Sequence, residues 1–265
     1  MTILDHIFKD EYKEAKDPGI KFRKKRHEIF LEKVLSRFNR YDASKISEDC
    51  IRYDYFDAVI KCGSIFERPL LEAENGVDSY DYNCTDLILE YPHPDSRYIG
   101  KKNKEKKIDC VVMQLDAKAG ASGKDVYKPV DAIELKFFPE TESKGTAKTQ
   151  HIASLVADFQ RLRDAKKLGT RLVVLVTLDA MITYINGDNG FSTLFSEKEK
   201  NYKTCKISVD KQDEATFRKV LDKRTYKGVK LTPITVERIF FESQTLESGP
   251  NKNKEIAIAA YIIKG

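Results

Sequence analysis

Val130-Asp131-Ala132-Ile133-Glu134-Leu135-Lys136-Phe137-Phe138 is the stretch on which the fold turns, and its apolar density predicts a β-strand. Side chains at i and i+2 of an extended chain share a face. Glu134 and Lys136 therefore stand side by side, while Ile133, Leu135 and Phe137 point the opposite way. A charged pair in such apolar company is costly to bury without a partner or a task.

Working outward, Ile108 to Leu115 reads as a strand, and so does Thr85 to Tyr91, which Pro92-His93-Pro94-Asp95 closes. The two are expected to pair antiparallel across a basic loop holding Lys101, Lys102, Lys104, Lys106 and Lys107. Those lysines either keep a hairpin tip soluble and unpaired or touch a backbone phosphate. Residues 117–128 form a flexible connection to the opening strand. Downstream, Ile152, Leu155, Val156, Phe159 and Leu162 make the apolar stripe of a helix over 148–168, with Gly169 as its stop. Arg171 to Leu178 is apolar without alternation, as a strand buried on both faces would be. Strand, long helix, buried strand implies a right-handed parallel crossover. The expected fold class is α/β: a helix–strand–strand–strand–helix–strand core, with helices on both faces of a mixed sheet.

Toward the N-terminus, Phe22, Ile29, Phe30, Val34, Leu35 and Phe38 recur at helical spacing over 20–38. Lys21, Arg23, Lys24, Lys25, Arg26 and His27 share that helix, either as a solvated face or as a phosphate-contacting patch. A second helix is expected over 46–60, a turn at Cys62-Gly63-Ser64, and a short helix over 65–76 in which Pro69 is tolerable only in the first turn. Beyond Asp179 the signal weakens: a turn at 187–190, a strand over 204–209, a helix over 214–221, and a closing hairpin of 236–243 with 255–263 across Ser248-Gly249-Pro250-Asn251. No repeat or linker divides the chain, so residues 1–265 are expected to form one elaborated domain, with its core at about 63–178.

The whole-chain totals narrow the class. With 47 Lys+Arg against 42 Asp+Glu the net charge is +5, which suits a polyanionic partner without demanding one. Five scattered cysteines (Cys50, Cys62, Cys84, Cys110, Cys205) without C-x-x-C spacing argue against a disulfide framework or a zinc site. No apolar run approaches the roughly 20 residues of a spanning helix, and residues 1–6 lack the apolar stretch of a secretory signal, so none is expected. A cytoplasmic protein is the expectation.

If the strand of Asp109 pairs with that of Glu134 and Lys136, two carboxylates and a lysine converge at one sheet edge. Two hard oxygen ligands suit Mg²⁺, with Mn²⁺ as a substitute, and the remaining positions fall to water and phosphate. A lysine beside such an ion can orient a water and offset charge on a phosphoryl transition state. The natural chemistry is phosphodiester hydrolysis.

Asp109, then Glu134-Leu135-Lys136 after 24 intervening residues, then a helix and a buried strand, resembles the PD-(D/E)XK nuclease superfamily over about residues 63–178. The resemblance implies the restriction-endonuclease-like fold and a metal-dependent nuclease, with DNA the expected substrate and endonucleolytic cleavage the expected mode. It makes Asp109 and Glu134 metal ligands and Lys136 catalytic. A further acid from the helix before the first strand would be Glu67, with Glu90 as its rival. Ile108 stands where the motif often has proline. E-x-K alone arises by chance on charged strands, and the order of elements is what carries the likeness. A homodimer would serve the cutting of two strands. The alternative is a catalytically inactive module of the same fold that binds nucleic acid or a protein.

Overall fold

The structure is a computed structural model that describes residues 18–66, 84–98, 106–115, 127–139, 145–186, 191, 194, 203–207, 215–226, 229 and 232–264. Helices α1 (Pro18–Arg40) and α2 (Glu48–Phe66) precede strands β1 (Cys84–Pro92), β2 (Lys107–Leu115) and β3 (Tyr127–Phe138). Helix α3 (Gly145–Asp164) crosses to β4 (Thr170–Leu178). Then come α4 (Asp179–Asn186), β5 (Lys203–Ile207), α5 (Ala215–Arg224), β6 (Ile234–Thr245) and β7 (Glu255–Lys264). All seven strands form one sheet in the order β1-β2-β3-β4-β7-β6-β5. Only β3 and β4 run parallel, in register Glu134↔Val173 and Lys136↔Leu175; the other neighbours are antiparallel. The chain is thus α/β with a mixed sheet, as its sequence led one to expect.

Alternation along the central strands builds two cores. On one face, Ile133, Leu135 and Phe137 of β3 and Leu172, Val174 and Val176 of β4 pack under Phe30, Val34 and Phe38 of α1 and Ile51, Tyr55 and Val59 of α2. On the other, Ala132, Phe138, Val173 and Leu175 meet Ile152, Leu155, Val156 and Phe159 of α3, with Phe217 and Leu221 of α5 beyond. Because both faces of β4 are covered, its sequence shows no alternation. Glu134 and Lys136 fall on the face that α3 covers.

Several local expectations need correction. No turn interrupts Cys62-Gly63-Ser64; α2 runs through it to Phe66. The short helix expected over 65–76 lies, past Phe66, outside the described residues. Helix α3 ends at Asp164 rather than near Leu168, and Gly169 then takes a positive φ of 54° where the chain turns into β4. A Cβ there would lie 2.4 Å from the Val130 carbonyl oxygen, so only glycine fits. Helix α4 had no clear signal in the sequence.

The basic residues of α1 turn inward as well as outward. Arg23 donates to Asp131 Oδ1 at 2.9 Å and to Thr170 at 2.8 Å, and the fully buried Arg26 reaches Asp131 Oδ2 at 2.9 Å. His27 is buried too. Neither a solvated face nor a phosphate patch describes these three residues: they clamp α1 to the sheet. At its other end, α1 is capped by the β6–β7 hairpin, where the Asn251 amide donates to the Phe38 and Tyr41 carbonyls at 2.6 and 2.8 Å. No helix among the described residues is long and apolar enough to cross a membrane.

Candidate active site

The β2–β3 ladder ends at Cys110↔Ile133. Past that pair β3 continues along β4 to Phe138, while β2 stays with β1, pairing Ile108 with Tyr91. The strands fork, and β3 is left with backbone N–H groups facing a gap. Inside a protein such groups must find acceptors. Asp109 Oδ2 accepts from the Leu135 N–H at 2.8 Å, and Glu48 Oε2 lies 3.5 Å from the Phe137 nitrogen. Two carboxylates are thereby held in the fork by the backbone's own demand. Arg52 ties them together, its Nη2 lying 2.9 Å from Asp109 Oδ1 and 2.8 Å from Glu48 Oε1.

Glu134 and Lys136 project from the same strand toward α3. They do not pair with each other. Arg161 Nη2 bridges Glu134 Oε1 at 2.5 Å and Asp158 Oδ1 at 2.9 Å. Lys136 Nζ lies 3.2 Å from Asp158 Oδ2 and 3.4 Å from Glu48 Oε1. Asp158 and Arg161 are three residues apart on α3 and so share the helical face laid on the sheet. Burial grades across the site: Glu134 and Asp158 are fully buried, Lys136 and Asp109 nearly so, and the Glu48 side chain is 33% exposed. Its open side is therefore at Glu48.

Burial raises the Glu134 carboxyl well above its ordinary value; Arg161 opposes this, and the neighbouring Asp109 and Asp158 charges add to it. Asp109 is raised for the same first reason, against the pull of Lys136 and Arg52. For Lys136 burial works downward, but Asp158, Glu48, Glu134 and Asp109 outweigh it and hold the ammonium above its usual range. The site thus combines reluctant carboxylates with a firmly protonated lysine.

Asp109, Glu134 and Lys136, chosen from sequence, are brought together, though in the interior of the sheet rather than at an edge. Glu67 lies outside the described residues. Glu90 is exposed, at a positive φ of 53°, with its nearest cation Lys107 at 3.7 Å; it takes no part in the site. The helical acid present at the fork is Glu48, from the first turn of α2, which sequence reasoning missed. Its signal was there: Ser47 precedes the helix and its hydroxyl accepts from the Cys50 N–H at 3.3 Å, marking 48 as a first-turn position. Asp158 and Arg161 hold α3 to the sheet, and they do so through charges inside the site. His151 packs on the Phe138 ring at 4.7 Å; burial and then Arg224 depress its pKa.

Glu134 Oε2 is buried without a hydrogen-bond partner, and both Asp158 oxygens have ion-pair neighbours but no aligned donor. Such acceptor-only oxygens fit a hard divalent cation, which needs one or two protein carboxylates. No three His, Cys, Asp or Glu side chains among the described residues already converge as a cation cage; Arg161, Lys136 and Arg52 stand between them. Glu134 and Asp109 would be the ligands, and Arg161 would have to yield its hold on Glu134. Comparison with protein-family models, with curated proteins and with solved structures returned no match.

Proposed function

We propose that this chain is a metal-dependent nuclease of PD-(D/E)XK type that hydrolyses phosphodiester bonds, with DNA as its substrate. The observation that carries the reading is the fork. It gathers Asp109, Glu134 and Lys136 from two diverging strands, within the order α2-β1-β2-β3-α3-β4 and beside a parallel β3–β4 pair. That order and pairing support the restriction-endonuclease-like reading. Ion pairs between surface residues would need neither the burial nor the orphaned oxygen.

In this reading Asp109 and Glu134 would hold Mg²⁺ or Mn²⁺ once Arg161 yields Glu134. A bound ion would supply Lewis-acid polarisation of a phosphoryl oxygen and a lowered pKa of water. Lys136, kept protonated by four carboxylates, orients the attacking water and offsets charge developing on the phosphate. Glu48, on the open side, fixes the Lys136 ammonium and bounds the place where water arrives.

A second reading has its own support. Arg161 already neutralises Glu134, as a module that binds nucleic acid or protein without cutting would require. Incubation of DNA with wild-type protein and Lys136→Ala in Mg²⁺ or Mn²⁺ decides between them. The nuclease predicts cleavage by wild type that falls by at least about 100-fold in the variant. Cleavage at the wild-type rate in Lys136→Ala would sink the assignment. Salt-sensitive binding without cleavage by the wild type would favour the module.

A further inference from the structure

We propose that Lys106, Lys223 and Arg224 form the surface that receives the phosphodiester backbone of DNA beside the open side of the Glu134–Lys136 site. The proposal rests on the nucleic-acid reading of that site, and it assigns DNA contact to α5, outside the elements that build the fork.

Helix α5 buries Phe217 and Leu221 against α3 and leaves Arg218, Lys219 and Lys223 exposed and Arg224 half-buried, with Asp222 as its one acid. The Lys106 ammonium donates to the Lys223 carbonyl at 2.7 Å, so the residue three before Asp109 is fastened to the last turn of α5. Three cations are then gathered at one place. That place borders the site: the His93 N–H donates to the Lys106 carbonyl at 3.1 Å and the His93 Nε2 lies 2.9 Å from the Arg161 carbonyl oxygen, and Arg224 acts on His151 as Glu48 and Lys136 do.

Elsewhere on the surface several cations are matched, while others, such as the exposed Lys45, Lys166 and Lys167, make no ion pair among the described residues. Lys33 meets Asp57, Arg37 meets Asp54, and Lys25 meets Glu28. Arg218, Lys219, Lys223 and Arg224 make no ion pair among the described residues. A basic last turn suits the helix dipole, and a lysine on a terminal carbonyl serves the same end. That accounts for a cation at 223 or 224 and for where Lys106 docks, but not for three cations held within reach of one another, where burial and the Arg161, Arg224 and Lys223 charges all work against the Lys106 ammonium. Clustered like charge works against the compact state unless an opposite charge offsets it. The regular charge of a DNA backbone is such an offset.

Counterion release makes the proposal measurable, since each phosphate contact contributes about −0.9 to the slope of log affinity against log salt. Duplex DNA binding is followed by fluorescence anisotropy from about 0.05 to 0.3 M salt, with Ca²⁺ in place of Mg²⁺ to suppress cutting. Lys223→Ala/Arg224→Ala should flatten the slope by about 1.8 and weaken binding roughly ten- to a hundredfold near 0.1 M salt. Lys223→Glu, at an exposed position, carries the test if the double variant folds poorly, and should weaken binding at least as much as one lost contact. Lys24→Ala/Lys25→Ala on α1 should leave the slope unchanged. A wild-type slope and affinity in both α5 variants would overturn the surface and leave the metal-site reading standing. Wild-type protein that shows no salt-sensitive DNA binding would overturn both. Binding with the expected slopes but no cleavage would uphold the surface and remove only the hydrolysis.

Discussion

Asp131 and Glu134 lie three residues apart on β3, on opposite faces of the sheet, and both carboxylates are shut away from water. Asp131 has a guanidinium on each oxygen: Arg23 on Oδ1 and Arg26 on Oδ2. Burial would raise its pKa, but Arg26 and Arg23 override that and hold it below the usual carboxylate range. Glu134 has Arg161 on one oxygen and nothing on the other, with Asp109 and Asp158 nearby, and its pKa goes up. The same strand therefore carries a carboxylate whose charge is satisfied and one whose charge is left wanting. The first kind fastens a helix; the second is what a cation site requires before its cation arrives.

The largest effect should come from breaking the satisfied side. Asp131→Ala leaves Arg26, fully buried, without its carboxylate. Removing one member of a buried pair commonly costs about 3–5 kcal/mol, because the surviving charge remains desolvated. Urea denaturation should show a loss of that size, with α1 detached from β3. A loss below about 1 kcal/mol would mean that Arg26 finds other compensation. The acid limb has a matching sign. With its folded pKa below 3.8, Asp131 contributes stability at all higher pH, and this is lost only as pH falls through the lowered value.

A smaller loss is expected on the other face. Arg161→Met removes the cation from both Glu134 and Asp158, yet Glu134 already leans toward its protonated form and can take up a proton. We expect a cost of about 2 kcal/mol at pH 8, shrinking toward pH 5 as protonation relieves the pair. Equal losses at the two pH values would show that Glu134 stays ionised with or without Arg161.

The contrast between these two carboxylates was only half visible in the sequence. Alternation placed Glu134 and Lys136 together, and the non-alternating run at 171–178 placed β4 in the middle of the sheet, because period and burial are properties of a single strand. Asp109 could be chosen because it sits on the preceding strand of an antiparallel meander. Partners were a different matter. Arg161 and Asp158 come from a helix whose rotation about its axis is set by packing, and Arg23 and Arg26 reach Asp131 across more than 100 residues of chain. Nothing local distinguishes a lysine or arginine of α1 that faces water from one that turns into the core. Glu48 was hidden for a related reason. The glycine at 63 suggested a turn, which moved attention to Glu67, whereas α2 runs straight through and offers its first turn to the fork.

The smallest effect, and the sharpest test of the comparison, is a substitution that should cost almost nothing. Glu134→Gln keeps the shape of the side chain and abolishes its ionisation. Between the ordinary value of 4.5 and the raised folded value, folded Glu134 keeps a proton that the unfolded chain has released, so its contribution to stability falls as pH rises. Glutamine lacks that penalty. It also relieves the repulsion from Asp109 and Asp158, while Arg161 keeps Asp158 as a partner at 2.9 Å. Relative to wild type, the variant should therefore gain stability with rising pH between about 5 and 8, and lie within about 1 kcal/mol of it throughout. Cleavage, by contrast, should be lost, as expected when a function is held at the expense of stability. A variant destabilised by several kcal/mol at pH 8 would make Glu134 a second Asp131, an anchor whose charge the fold requires, and would take away the physical ground for giving it a metal.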